Sequence, residues 1–191
     1  MIPTTARWLT GPVILIGIII LAGLYVGSSY NSLVRNNEAV SAQWAQVESQ
    51  YQRRFDLIPN LVESVKGIMK QEQAVFAAIA DARTHYAGAT TPDQKAAAAG
   101  QVESSLARLL VVMENYPQLK SAENVQSLMA EIAGTENRIS VERMRYNEMV
   151  RDYNVSAKTF PGSLVASLFG FGPRTMFGAQ TGAADSPKVQ F

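Results

Sequence analysis

From Pro12 to Val26 the chain reads PVILIGIIILAGLYV, and no charged residue occurs between Arg7 and Arg35. An apolar run of roughly 20 residues crosses the hydrocarbon core of a bilayer as a helix. The pattern therefore predicts a transmembrane helix over 12–29 behind a short flank, 1–11. Trp8 on one side and Tyr25 or Tyr30 on the other suit the aromatic belts of the two interfaces. A cleaved signal peptide would have a shorter apolar core, a more basic flank and a small-residue cleavage site. Only Arg7 precedes the run here, and no such site follows. Leu21-Ala22-Gly23 starts like a lipoprotein box, but Leu24 stands where acylation needs Cys. A retained anchor is the expectation. Within it Gly23 and Gly27 form a GxxxG, the spacing that lets two membrane helices approach closely.

After Tyr30 the hydrophobic signal changes from continuous to periodic. Leu33, Val40, Trp44, Val47, Tyr51, Phe55 and Ile58 recur at threes, fours and one seven, the stripe of a helix packed on neighbours. No Gly or Pro interrupts 30–57, so this helix is expected to leave the bilayer without a break. Leu61, Val65, Ile68, Glu72, Val75, Ile79, Ala82 and Tyr86 continue the spacing beyond Pro59. Either the helix kinks at 56–59 or it reverses there. A reversal is favoured, because one helix of about 58 residues would form a rod of about 85 Å, longer than its partners cover. Gly88-Ala89-Thr90-Thr91-Pro92-Asp93 is a break and restart, with Thr91 at the N-cap, Pro92 in the first turn and Asp93 at the positive end of the dipole. A third helix runs to about residue 116, where Pro117 ends it, and carries Val102, Leu106, Leu109, Val112 and Met113. The fourth, about 121–159, carries Val125, Leu128, Ile132, Thr135, Ile139, Tyr146, Met149, Val150 and Tyr153 before Phe160-Pro161-Gly162 closes it.

No stretch alternates with period two for long. The prediction is an all-α protein: the membrane helix, then a long antiparallel four-helix up-and-down bundle over 30–160. An apolar segment, 161–177, follows and includes Leu168, Phe169 and Phe171. It is too short to span a membrane and has three destinations: the bundle, the membrane interface or a second subunit. Residues 178–191 are small, polar and interrupted by Pro187, a composition expected to be disordered.

Composition adds exclusions. A net charge of +1 exerts no general pull on nucleic acid, and the absence of cysteine removes thiolate catalysis, disulfides and Cys-bound metals. Bundles of this kind can hold two metals through Glu-x-x-His motifs, but Ala82 stands three residues before the single histidine, His85. His85 reads instead as a helix C-terminal residue. No phosphate-binding loop and no Gly-x-Ser-x-Gly elbow occurs. No catalytic, cofactor or metal residues are assigned. Arg7 and Arg35 nearly balance across the anchor, with a slight lean of the main domain towards the cytoplasm.

Three polar constellations remain: Arg53-Arg54-Phe55-Asp56 with Pro59-Asn60, Glu136-Asn137-Arg138, and the pairs Tyr146-Asn147 and Tyr153-Asn154. The pairs are seven apart and share one helix face. They either bond across helices and fix the packing register or present a recognition surface.

Together these stretches resemble the LemA family of bacterial membrane proteins. The resemblance is carried by Tyr30-Asn31-x-Leu33-Val34, by RRFDLIPNLV at 53–62 with Val65-Lys66-Gly67, and by Glu114-x-Tyr116-Pro117-x-Leu119-Lys120. It continues through Gly134-Thr135-Glu136-Asn137-Arg138-Ile139-Ser140-Val141-x-Arg143, Tyr146-Asn147, Val150-Arg151-Asp152-Tyr153-Asn154 and Phe160-Pro161. It runs from about 30 to 177, and the tail beyond matches none of it. Gln71 stands where relatives often carry His, so any role of that histidine is absent. The resemblance implies a single N-terminal membrane helix in the bacterial cytoplasmic membrane, a long four-helix bundle and a cytoplasmic main domain. It supplies no catalytic residues, and a magnetosome-associated branch of the family is linked to membrane organelle formation. The expected function is a non-enzymatic, membrane-anchored scaffold that touches lipid through its first helix and forms a homo-oligomer or organises partners. The alternative is a signal-transducing helical module driven by its anchor.

Overall fold

The protein is described here by a computed structural model, which covers residues 6–178. Its elements are α1 (Ala6–Lys66), α2 (Gln73–Gly88), α3 (Pro92–Met113), α4 (Pro117–Lys120), α5 (Glu123–Lys158) and α6 (Gly162–Phe169). No strand occurs among the described residues. The first five residues of the expected flank, and all but Gly178 of the expected disordered tail, lie outside them.

α1 is one helix of 61 residues. Its N-terminal part is long and apolar enough to cross a membrane, and none of that window is buried within the protein. The expected reversal at 56–59 does not occur: α1 passes through Pro59 and ends at Lys66. The reason lies in the stripe, which keeps its phase across the proline, with Ile58, Leu61 and Val65 all fully buried. An interior proline removes its own N–H bond and crowds the preceding turn, whereas a reversal would have pulled Leu61 and Val65 off the shared face. The chain turns instead after Gly67. There Ile68, expected in the stripe, is 45% exposed and Met69 takes the buried place. The objection from length fails because α1 is shared between two compact units, one ending at Ser41 and the other beginning at Ala42.

The first unit comprises Met1–Ser41 and Glu148–Arg174. Leu33 and Val40 of α1, Val150 and Tyr153 of α5, and Val165 and Ala166 of α6 form its core. Between α5 and α6 the chain passes so close to itself that a Cβ on Gly162 would lie 2.3 Å from the Ser156 carbonyl oxygen. Gly170, at a φ of 76°, supplies the left-handed residue that closes α6.

The second unit comprises Ala42–Asn147 and Thr175–Phe191. Tyr51, Phe55, Ile58 and Leu61 of α1 are buried in it with Ile79 and Tyr86 of α2, Val102, Leu106 and Leu109 of α3, and Ile132 and Ile139 of α5. The Phe55 and Tyr86 rings meet edge to face at 4.4 Å. The restart before α3 forms as expected: Thr91 accepts from the Gln94 backbone, the Gln94 side chain returns the bond, and Pro92 opens the helix. α3 ends at Met113, about three residues early, and Pro117 opens the short α4, which buries Leu119.

Candidate functional site

The charged centre of the second unit is built around Arg54, a residue only 2% exposed. α1 places it on the same face as Tyr51 and Ile58, one turn away on either side. Its Nε donates to Thr135 Oγ1 at 3.0 Å, one terminal nitrogen donates to Glu136, and the other lies 3.6 Å from Glu103. Glu103 also faces Arg143, 3.1 Å away, and Arg143 donates to the Tyr51 hydroxyl while lying 5.4 Å from the centre of that ring. Two cations and two anions from α1, α3 and α5 thus close a cluster whose charges balance. Burial pushes the Tyr51 phenol up to about 12, against the opposing pull of Arg143. Beside the cluster lies a cavity of about 440 Å³, with Arg54 and Glu136 at its polar end and Leu61, Leu106, Met129 and Ile132 among its apolar walls.

The Tyr-Asn pairs do more than bridge helices, as the Tyr146 ring does by meeting Trp44 of α1 edge to face at 5.6 Å. They hold the chain that follows α6. In the first unit the Tyr153 hydroxyl donates to the Gly172 carbonyl at 2.8 Å. Asn154 brackets Arg174, donating to its carbonyl and accepting from its N–H, both at 2.8 Å. Burial raises the Tyr153 pKa, with Arg174 opposing. In the second unit Tyr146 donates to the Thr175 carbonyl at 3.3 Å, and Asn147 brackets Phe177 in the same way at 3.1 and 2.8 Å. Each asparagine amide copies the bonding edge of a neighbouring strand, satisfying a donor and an acceptor of one residue at once. The pairs sit seven apart on α5 and their targets three apart on the strap, 171–178. The strap's exposure has the same period, with Phe171, Arg174 and Phe177 less exposed than the residues between them. Phe177 packs on Trp44 and Tyr146 at 5.5 and 5.3 Å, and the Arg174 guanidinium donates to Asn37 Oδ1 at 2.8 Å.

Of the residues singled out in the sequence, Arg54 and Glu136 come together in the cluster, and both Tyr-Asn pairs act as clamps. Arg53, Asp56, Asn60, Asn137 and Arg138 are exposed, and Pro59 is half-buried. Asp56 accepts from Gln52 one turn earlier at 2.8 Å. A Cβ at Gly23 or Gly27 would meet nothing within 4 Å, so that face of the apolar part of α1 is open. In the apolar segment Leu168 is exposed while the rings of Phe169 and Phe171 pack on Tyr30. Sequence reasoning missed Glu103 and named Arg143 only as part of the resemblance; the available signal was a charge adjoining the apolar stripe, Glu103 directly after Val102 and Arg143 three residues before Tyr146. His85 Nδ1 lies 3.0 Å from Gln101 Oε1 in the last turn of α2. Among the described residues no group of three or more His, Asp or Glu is placed to hold a metal ion.

The chain is similar to the magnetosome proteins MamQ 1 and MamQ 2 of Paramagnetospirillum magneticum. Each is 27% identical over 186 residues, covering 84% of this chain and 68% of the relative. The magnetosome protein MamQ of Magnetospirillum gryphiswaldense is 26% identical over the same coverage. The family model for the LemA family matches residues 43–191. That match starts past the anchor and takes in the tail, which had been expected to lie outside the resemblance. It covers the Arg54 cluster, both clamps and the strap, and on it the chain belongs to the LemA family.

Proposed function

We propose that this membrane-associated protein is a non-enzymatic scaffold, fixed to the bilayer by α1, that self-associates or organises protein partners there. The observation that carries the reading is the continuity of α1, which leaves the apolar segment and enters the packed helices without a break. A partner held by those helices is thereby tied to the membrane through one continuous helix. The open face at Gly23 and Gly27 supports self-association. The relatives named as magnetosome proteins support action at a membrane. The near balance of Arg7 and Arg35 leans the larger part of the chain towards the cytoplasm.

Light scattering of the full-length protein in mild detergent, beside cross-linking in native membranes, tests the reading. Defined oligomers are expected, weakened when Gly23 and Gly27 are replaced by leucine. A strict monomer in both settings with no co-purifying partner overturns the proposal. The same continuity of α1 favours a second reading, a module that relays movement of the anchor. For it, cross-links between α1 and α5 within one unit must change with conditions, and invariant cross-links end it.

A further inference from the structure

α6 has an uncovered side. Leu164 and Leu168, four residues apart and therefore on one helix face, are 64% and 75% exposed, and Phe160 just before the helix is 80% exposed. No charged residue occurs between Lys158 and Arg174. The opposite side is occupied: Val165 and Ala166 are buried in the first unit.

The position of α6 on α1 sets its depth. At its start, a Cβ on Gly162 would lie 3.9 Å from Ser29 Oγ. Phe160, Pro161 and Gly162 share a recess of about 290 Å³ with Tyr25, Ser28 and Ser29. At its end, the Phe169 ring lies 4.8 Å from that of Tyr30. An eight-residue helix is about 12 Å long, yet both its ends meet adjacent residues of α1. Its axis therefore runs across α1 rather than along it. Residues 25–30 are where the apolar run of α1 ends, and Leu24 and Tyr25 are themselves exposed there. The uncovered face of α6 thus lies beside the end of the exposed apolar surface of α1.

We infer that α6 is a second membrane contact, a short helix lying in the plane of the bilayer interface with Phe160, Leu164 and Leu168 among the lipid chains. This rests on the reading of α1 as the membrane anchor. Lys158 stands just before the uncharged segment, and its long stem lets the ammonium reach the headgroups from a shallow position. The contact would fix both the depth and the tilt of α1, which a lone spanning helix leaves open.

The chain has no cysteine, so single labelling sites are simple to introduce. In the full-length protein, Leu168→Cys and Phe160→Cys would carry an environment-sensitive fluorophore, with Leu15→Cys as the anchor control and Val111→Cys, on exposed α3, as the aqueous control. The proteins are reconstituted in phosphatidylcholine vesicles doped with nitroxide lipids, spin-labelled near the headgroup or near the chain end. The expected result is several-fold stronger quenching at 168 and 160 by the shallow nitroxide, the reverse at 15, and none at 111. If 15 is quenched while 168 and 160 emit as in water, the anchor stands and the inference falls. A shielded but unquenched probe at 168 means that protein, a second copy for example, covers the face, which also overturns it. Failure to quench at 15 removes the anchor reading and the inference with it.

Discussion

The two units hold the same device on different supports. Each uses a Tyr-Asn pair of α5 to grip the strap by its backbone, but the polar groups behind the two grips differ. In the second unit they are ionic, Arg54 and Arg143 against Glu103 and Glu136. In the first, neutral groups surround a single cation: Asn37 and Asn154 hold Arg174, and Asn36 donates to Ser156 at 3.4 Å. Among its described residues the ion pair of the first unit, Arg151 with Asp152, joins exposed sequence neighbours. Opposed charges in a buried cluster impose a demanding geometry and penalise any missing member. Amides and hydroxyls bond without that penalty, in the unit that carries the candidate membrane helix. The comparison assigns uniqueness of packing to the ionic unit and tolerance to the neutral one.

The strongest way to break that contrast is Arg54→Ala. Arg54 is 2% exposed, and its removal empties its place in the core and takes a partner from Thr135 and Glu103, a cost of about 3 kcal/mol. Urea unfolding of the full-length protein in mild detergent, followed by circular dichroism, should show a loss of that size. A loss under about 1 kcal/mol would mean that the cluster is solvated and the contrast is wrong.

Alkaline pH acts next. Tyr51 keeps its proton in the folded state up to about 12, whereas an unfolded tyrosine releases its own near 10. Over that window the folded state binds more protons, so stability is intact below pH 10 and falls as pH rises from about 10 to 12. This one group forfeits about 2 kcal/mol at the upper end. A melting temperature unchanged between pH 9 and 11.5, in wild type and in Tyr51→Phe alike, would count against a buried phenol.

Replacing either asparagine sharpens the comparison from within. Asn154→Ala and Asn147→Ala each leave a backbone donor and acceptor unpaired, for about 2 kcal/mol apiece. Hydrogen exchange should accelerate at the Arg174 amide in the first variant and at the Phe177 amide in the second, each more than about tenfold. Acceleration of both amides by either change would show that the clamps do not act separately. The smallest effects belong to Arg53→Ala and Arg138→Ala, both at exposed positions, which should stay within about 0.5 kcal/mol of wild type in the same unfolding assay.

Most of the helical layout was legible because apolar periodicity reports directly on burial. Tyr51, Phe55, Ile58, Ile132 and Ile139 all lie where their spacing put them. Thr91 and Pro92 announced the start of α3 through capping chemistry that is local in sequence. Pro59 misled, since the local cost of a proline was weighed against a length limit, and the burial of Ile58, Leu61 and Val65 outweighed both. The Tyr-Asn pairs were visible as a repeat, but their target was not. Main-chain acceptors leave no mark on the residue types that bear them, so nothing in Gly172, Arg174 or Thr175 advertises a partner. Glu103 was hidden for the related reason that its ion partners lie on α1 and α5, far away in sequence.

The clamps have a consequence for how the strap tolerates change. Because Asn147 and Asn154 bond to main-chain atoms, the identity of Pro173, Thr175 and Met176 matters little to the grip, while the count of residues matters a great deal. The strap is read in triplets. Deleting one residue between Gly172 and Phe177 is a frameshift that presents the wrong amide to a clamp.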